Sequence, residues 1–210
     1  MRVVVPFAAE RPKTRLSDVF TPDERQSFAR AMLSDVLASL RDAGFTPEVL
    51  STAPLNVDAP TTIDERPLNA AVNAILDTSS PVAVVMADLP LATPKALSWL
   101  FTPSGDVVLA PGRGGGTNAL VARHPDFRVS YHGTSYLDHR ERARAIGASV
   151  ETVDSFFLST DIDERTDLAE VLIHGDGTAR EWLCEAGVEL TDGENEGRVT
   201  VSRAEEASEH

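Results

Sequence analysis

Lysine and cysteine are almost missing from this chain. Of its 210 residues only Lys13 and Lys95 are lysines, the other basic residues are arginines, and Cys184 is the single cysteine. One thiol cannot close an internal disulfide, which excludes a disulfide-stapled scaffold and points to a reducing, cytoplasmic setting. No apolar run approaches the roughly 18 residues that a membrane span needs, so no membrane partner is expected. Met1 to Val5 runs straight into Pro6 and is too short for a signal peptide. Basic charge is outnumbered, 19 residues against 33 acidic ones, for a net charge of −14. A nucleic-acid partner needs a basic face and is therefore not expected, although a pocket's local field can still hold a small anion. Few lysines and many carboxylates are the composition of a protein from a salt-loving organism, whose acidic surface stays hydrated at high ionic strength. What is present is ordinary for a globular domain, 42% hydrophobic and 25% charged residues. The length fits one domain, or one domain with a small appendage.

The pattern alternates strands with helices. Arg2–Phe7 reads as a buried strand. Thr21, Pro22 and Glu24 form a capping box that opens a helix with Phe28, Met32, Val36, Leu37 and Leu40 inward, and Gly44 closes it. Strands are predicted at Pro47–Ser51 and, within a loop, at Thr61–Ile63. A helix over Leu68–Leu76 puts Ala71, Val72, Ile75 and Leu76 inward. Val82–Met86 is apolar throughout, as expected of a central parallel strand covered on both faces. Thr93 and Pro94 start a helix expected to bury Leu97, Trp99 and Leu100. Val107–Ala110 and Ala119–Ala122 read as strands on either side of a glycine-rich loop. Further helices are expected at Tyr136–Ile146, capped by Ser135, at Asp163–His174 and at Ala179–Ala186, with a strand at Ser149–Val153. Val188–Leu190 and Arg198–Val201 read as a terminal hairpin, followed by a frayed acidic tail. The predicted fold is a doubly wound α/β sheet, mostly parallel, with helices on both faces. Residues 1–175 form the main domain, and 176–210 a helix, hairpin and tail packed on it. In such sheets ligands sit beyond the carboxyl ends of the strands.

Several residues lie where ligand chemistry is expected. The loop after the first strand carries Arg11, Lys13 and Arg15, either a cradle for a triphosphate or a solubilising loop. Asp88 ends the central apolar strand, a position suited to a magnesium ligand or simply to a turn cap. Gly112 and Gly114–Gly116 allow close approach to the backbone, so that Thr117 and Asn118 can reach phosphate or carboxylate oxygens; the plainer alternative is a hairpin tip. The loop is neither a Walker loop nor a dinucleotide fingerprint. Asp161 and Asp163 share one face of an extended chain, either around a divalent cation or with Asp163 only capping a helix. Gly133 and Ser135 precede a helix whose free amides suit an anion. The five histidines have no zinc-ligand spacing and are expected at surfaces or caps. Cys184 is expected in the core, and Tyr131 and Tyr136 to pack.

Taken together, Pro6-Phe7, Pro12-Lys13-Thr14-Arg15-Leu16-Ser17, Leu68-Asn69, Met86-Ala87-Asp88-Leu89-Pro90, Gly114-Gly115-Gly116-Thr117-Asn118-Ala119-Leu120 and Ser159-Thr160-Asp161-Ile162-Asp163 resemble the CofC guanylyltransferases of coenzyme F-420 biosynthesis. These are relatives of the nucleotide-diphospho-sugar transferases, with a GT-A-like fold. The likeness runs from Arg2 to about Gly175. It implies a homodimer that joins GTP to 2-phospho-L-lactate with Mg²⁺, releasing pyrophosphate. It further implies Lys13 and Arg15 on the triphosphate, with Arg11 beside them, and Asn69 on the base. Asp88, Asp161 and Asp163 would hold metal, and Thr117, Gly133 and Ser135 the acceptor. Many relatives carry lysine where this chain has Ala8. Phosphoenolpyruvate or 3-phosphoglycerate as acceptor, or a non-catalytic GTP sensor on the same fold, are the alternatives.

Overall fold

The computed structural model describes residues 1–10, 12–192 and 199–203. Seven strands form one sheet: β1 (Arg2–Phe7), β2 (Pro47–Ser51), β3 (Thr61–Ile63), β4 (Val82–Val85), β5 (Val107–Pro111), β6 (Thr117–Ala122) and β7 (Val150–Thr152). Their order is β3-β2-β1-β4-β6-β5-β7. Neighbours pair in parallel except around β6, which runs antiparallel to both β4 and β5. The sheet is thus mostly parallel and mixed, as expected.

Both faces are covered, in keeping with a central strand β4 that is apolar and buried at every position. Val3 and Val5 of β1 join the larger core with α1 (Pro22–Asp42), α3 (Pro94–Phe101), α5 (Phe156–Ser159), α6 (Leu168–His174) and α7 (Thr178–Glu185). Val4 joins the smaller core with α2 (Leu68–Thr78) and α4 (Ser135–Ala145). The alternation of β1 thus feeds two apolar layers at once. Helix α1 begins on the predicted capping box. Glu24 N–H donates to Thr21 Oγ1 at 3.3 Å, Thr21 N–H donates to Glu24 Oε2 at 2.8 Å, and Pro22 takes the first helical position. The chain leaves this helix through Gly44 at φ +87°, a backbone conformation that favours glycine.

The described residues after 175 pack on the same body. Asp35 of α1 accepts hydrogen bonds from Thr178 and Ala179 N–H at 2.7 and 2.8 Å, so a carboxylate 143 residues upstream caps the start of α7. Strands β8 (Val188–Asp192) and β9 (Val199–Arg203) form the antiparallel hairpin. Arg203 of β9 returns to Glu24 with Nη2–Oε1 at 2.5 Å. The turn of the hairpin, Arg198 and the acidic tail lie outside the described residues.

Several local expectations need correction. Trp99 is 50% exposed, with Lys95 Nζ 5.2 Å from its ring centre. It stands two residues from Leu97, about 200° round the helix, and so points away from the core. Cys184 is exposed, one residue beyond the buried Leu183. Thr134, not Ser135, is the residue before α4, and its side chain makes no cap. The predicted helix at Asp163–His174 is split: Glu164 and Asp167 cap a 3₁₀ turn at Arg165–Asp167, and α6 starts only at Leu168. The short α5 has no counterpart in the sequence-based reading.

Candidate active site

The chain runs outward from β1 to β2 and β3, then returns to β4 on the other side of β1. This reversal creates a crevice at the carboxyl ends of β1 and β4, the usual ligand position in an open α/β sheet. A cavity of about 680 Å³ opens there, lined among others by Phe7, Lys13, Arg15, Thr52, Arg66 and Asp88.

Lys13 is the centre of the site. It is the one non-glycine residue at positive φ among the described residues, at φ 54° and ψ 46°. That backbone strain turns its side chain inward, where it is only 9% exposed. Its Nζ donates to Asp88 Oδ2 and to Asp163 Oδ1, both at 2.7 Å. Burial alone lowers the ammonium's pKa, but the two carboxylates outweigh it and the net shift is upward, so Lys13 is firmly charged. Arg15 stays at the rim, its Nη1 3.9 Å from Asp163 and 3.6 Å from Glu164. Arg11 lies outside the described residues.

The segment that carries Asp161 and Asp163 is docked onto the Asp88 loop. Ile162 is fully buried, and its N–H donates to Asp88 O at 3.1 Å. The two aspartates flank this anchor, one on either side. Asp163 meets Lys13, while Asp161 Oδ1 accepts from Asn118 Nδ2 at 3.1 Å. Burial pushes the Asp161 carboxyl up, the Asn118 hydrogen bond opposes it, and the charges of Asp88 and Asp163 add to the rise.

Asn118 reaches Asp161 because of a bulge. Ala110 pairs with Ala119 but Pro111 pairs with Thr117, so Asn118 is the extra residue on β6. Without it the alternation of β6 would turn Asn118 to the layer of Leu120 and Thr117 to that of Ala119; the bulge exchanges the two, a use of bulges common beside active sites. Asn118 turns to Leu158 O and Asp161. Thr117 turns to α4, where Oγ1 is 2.9 Å from His139 Nδ1 and 3.4 Å from Ser135 Oγ. Gly112 is required in the β5–β6 loop, because a Cβ there would lie 2.4 Å from Asn118 Oδ1.

The expected site residues therefore form two groups joined at the start of β6. Lys13, Asp88, Asp161 and Asp163 make one. Thr117 and Ser135 make the other, beside the loop that holds Gly133. Asn69 belongs with the second. It is not a lining residue of the cavity; its amide is held by Tyr131, whose N–H donates to Oδ1 at 2.6 Å and whose O accepts from Nδ2 at 3.4 Å. Asn73, one turn on, makes the same pair of bonds with Val129, at 2.8 and 3.0 Å. Two asparagines at i and i+4 thus clamp the loop segment that leads to Gly133. That spacing is visible in the sequence, but the backbone it holds is distant in the chain and is not.

His139 departs from the surface position expected of the histidines. It is fully buried, and burial, with Arg142 adding, lowers its pKa to about 4. The ring packs edge-on against Phe127 and Tyr131, at 5.9 and 5.2 Å.

Among the described residues no group of three or more His, Cys, Asp or Glu side chains is arranged to hold a metal ion. The reason is local: the Lys13 ammonium sits between Asp88 and Asp163, and Asp161 is turned to Asn118. Asp88 Oδ1, however, is buried without a hydrogen-bond partner. A lone hard oxygen donor with a second carboxylate nearby fits Mg²⁺, which takes one or two carboxylates and fills its other positions with water and phosphate. It does not fit an all-protein cage.

The chain matches the model of the family described as "Guanylyl transferase CofC like" over residues 1–204. A protein of Halomicrobium mukohataei named 2-phospho-L-lactate guanylyltransferase is 61% identical, over 97% of this chain and 100% of its own length. One of the same name from Haloferax volcanii is 58% identical, over 97% and 98%. Among solved structures, one provisionally described as a nucleotide-diphospho-sugar transferase, from Desulfovibrio desulfuricans, superposes with a TM-score of 0.65 at 18% identity, covering 88% of this chain and 95% of that one. A nucleotidyl transferase from Methanothermobacter gives 0.58 at 14% identity, covering 82% and 96%. These two likenesses concern the fold alone.

Proposed function

Because the chain belongs to the CofC-like guanylyl transferase family, we propose that it joins the GMP part of GTP to 2-phospho-L-lactate, giving lactyl-2-diphospho-5′-guanosine and pyrophosphate. The observation that carries this reading is the convergence of Lys13, Asp88 and Asp163 from three distant segments on one strained, buried ammonium over the crevice.

The chemistry suits such a site. An acceptor phosphate oxygen attacks the α-phosphorus in line, the bond from that phosphorus to the β-phosphate bridging oxygen breaks, and pyrophosphate leaves with the electron pair. The nucleophile is already ionised at neutral pH, so no general base is needed. The obstacle is repulsion between two polyanions, and catalysis is mainly positioning and charge neutralisation. Lys13 supplies a fixed positive charge where the triphosphate enters, and Arg15 a mobile one at the rim. Asp88, with Asp163 or Asp161, would hold Mg²⁺. When bound, that ion neutralises phosphate oxygens and stabilises the leaving pyrophosphate. Thr117, Ser135 and the backbone at Gly133 would bind the acceptor, and Asn69 holds that loop in place.

The remaining features belong to the same reading: a soluble homodimer of a salt-loving cytoplasm, with GTP and a small phosphorylated acid as its only partners. No helix of the described residues is long and apolar enough to cross a membrane. The test is pyrophosphate release in molar salt and Mg²⁺, with GTP, ATP and CTP against phospholactate, phosphoenolpyruvate and 3-phosphoglycerate. The proposal expects turnover with GTP and phospholactate. Preference for another acceptor would reassign the substrate, and GTP binding without pyrophosphate release would make the protein a sensor.

A further inference from the structure

We propose that His139 is a positioning residue for the acceptor: as a neutral Nδ1–H donor it makes the Thr117–Ser135 hydroxyl pair present one free proton to the bound phosphate or carboxylate. The inference rests on the reading of Thr117 and Ser135 as the acceptor subsite.

The protons between His139, Thr117 and Ser135 can be counted. Ser130 N–H donates to His139 Nε2 at 2.8 Å, so Nε2 is the acceptor nitrogen. In a neutral imidazole the other nitrogen then carries the proton, and Nδ1–H donates to Thr117 Oγ1 at 2.9 Å. Thr117 and Ser135 have one hydroxyl proton each. The Ser135 proton closes the 3.4 Å contact to Thr117 Oγ1. The other has no protein partner among the described residues. With the opposite tautomer, the Thr117 proton would go to the imidazole and the Ser135 proton to Thr117, leaving none, and the Ser130 amide would lose its acceptor. A phosphate or carboxylate offers only acceptor oxygens, so the difference decides whether the pair attracts the ligand or repels it.

The surroundings lock this arrangement. Val129 and Tyr131 are clamped by Asn73 and Asn69, which fixes the Ser130 amide between them. Phe127 and Tyr131 hold the imidazole edge-on. Burial keeps the ring neutral. Gly116 precedes Thr117 and Gly133 lies two residues before Ser135, and a Cβ at either would meet nothing within 4 Å, which leaves open space for a small anion beside these segments.

Two measurements test the proposal on the full chain. Long-range ¹H–¹⁵N spectra of labelled protein at neutral pH, with the His139 signals assigned by their loss in His139→Asn, should show a protonated Nδ1 and a bare Nε2. An Nε2–H tautomer or an imidazolium would overturn it, and this measurement needs no variant to be active. In steady-state kinetics, His139→Phe keeps the aromatic packing but loses the donor. It should raise KM for the acceptor about tenfold, the loss of one hydrogen bond to a charged group, with KM for GTP unchanged. His139→Asn, whose Nδ2 stands near the place of Nδ1, should recover most of the loss. An unchanged acceptor KM in His139→Phe, or an equal rise in both KM values, overturns the relay alone. A wild-type protein that turns over no acceptor overturns the function proposed above and this inference with it.

Discussion

Replacing Lys13 by methionine removes one charge at nearly constant volume. Two carboxylates then lose a partner at 2.7 Å and face each other and Asp161 without it. Breaking a fully buried pair costs about 3–5 kcal/mol. Here Asp88 and Asp163 are 27% and 41% exposed, so solvent recovers a large part. A net cost of roughly 1–2 kcal/mol is expected. The effect on turnover should be larger, because a fixed cation aimed at developing phosphate charge contributes a factor of about 10²–10³. Lys13→Gly separates charge from backbone. It also lacks the ammonium, but it relaxes the left-handed conformation, which costs a side-chain-bearing residue about 1–2 kcal/mol. Lys13→Gly should therefore be at least as stable as Lys13→Met and equally inactive. The assays are thermal unfolding and pyrophosphate release at saturating GTP and Mg²⁺. A Lys13→Met enzyme within threefold of wild-type kcat/KM would refute the electrostatic account, and a less stable Lys13→Gly would refute the strain account.

Asp88→Asn should keep the fold and lose most activity; near-normal turnover at saturating magnesium, measured on folded protein, would remove the metal assignment. Gly112→Ala drives a Cβ to 2.4 Å from Asn118 Oδ1, so it should release Asn118 from Asp161 and lower kcat more than it lowers Tm. The His139 pKa lies near 4 in the fold against 6.5 for a free side chain. The unfolded chain therefore binds the extra proton first, and stability is complete above pH 6.5 and declines as pH falls towards 4, by at most about 3 kcal/mol. His139→Asn should flatten that part of a chemical-denaturation profile. The hydrogen bond from Arg203, with the Thr21 backbone adding, lowers the Glu24 carboxyl to about 2 from 4.5. This contribution is present above pH 4.5 and lost as pH falls through the folded value, so Glu24→Gln should cost stability at neutral pH and little near pH 2.

Local rules account for what could be read directly. Capping boxes, proline at helix starts and apolar strands are properties of neighbouring residues, and they placed β1, α1, β2, α2 and β4 nearly to the residue. Lys13 and Asp88 were also legible, because each follows a strand at the ligand edge, and Asp161 and Asp163 as acids at alternate positions. Helical phase explains the differences at Trp99 and Cys184: each lies in an apolar run, but the turn of its helix points it away from the core. Tertiary structure alone decided the rest. Whether Lys13 meets Asp88 and Asp163 depends on contacts 75 and 150 residues apart. Which of Thr117 and Asn118 faces α4 and which faces Asp161 depends on a one-residue slip against β5. Whether a histidine is a surface group or buried depends on the residues packed around it, and which of its nitrogens donates depends on the amide that faces the other. Sequence patterns carry the energies of neighbours along the chain; charge pairing, bulge register and tautomer are set by neighbours in space.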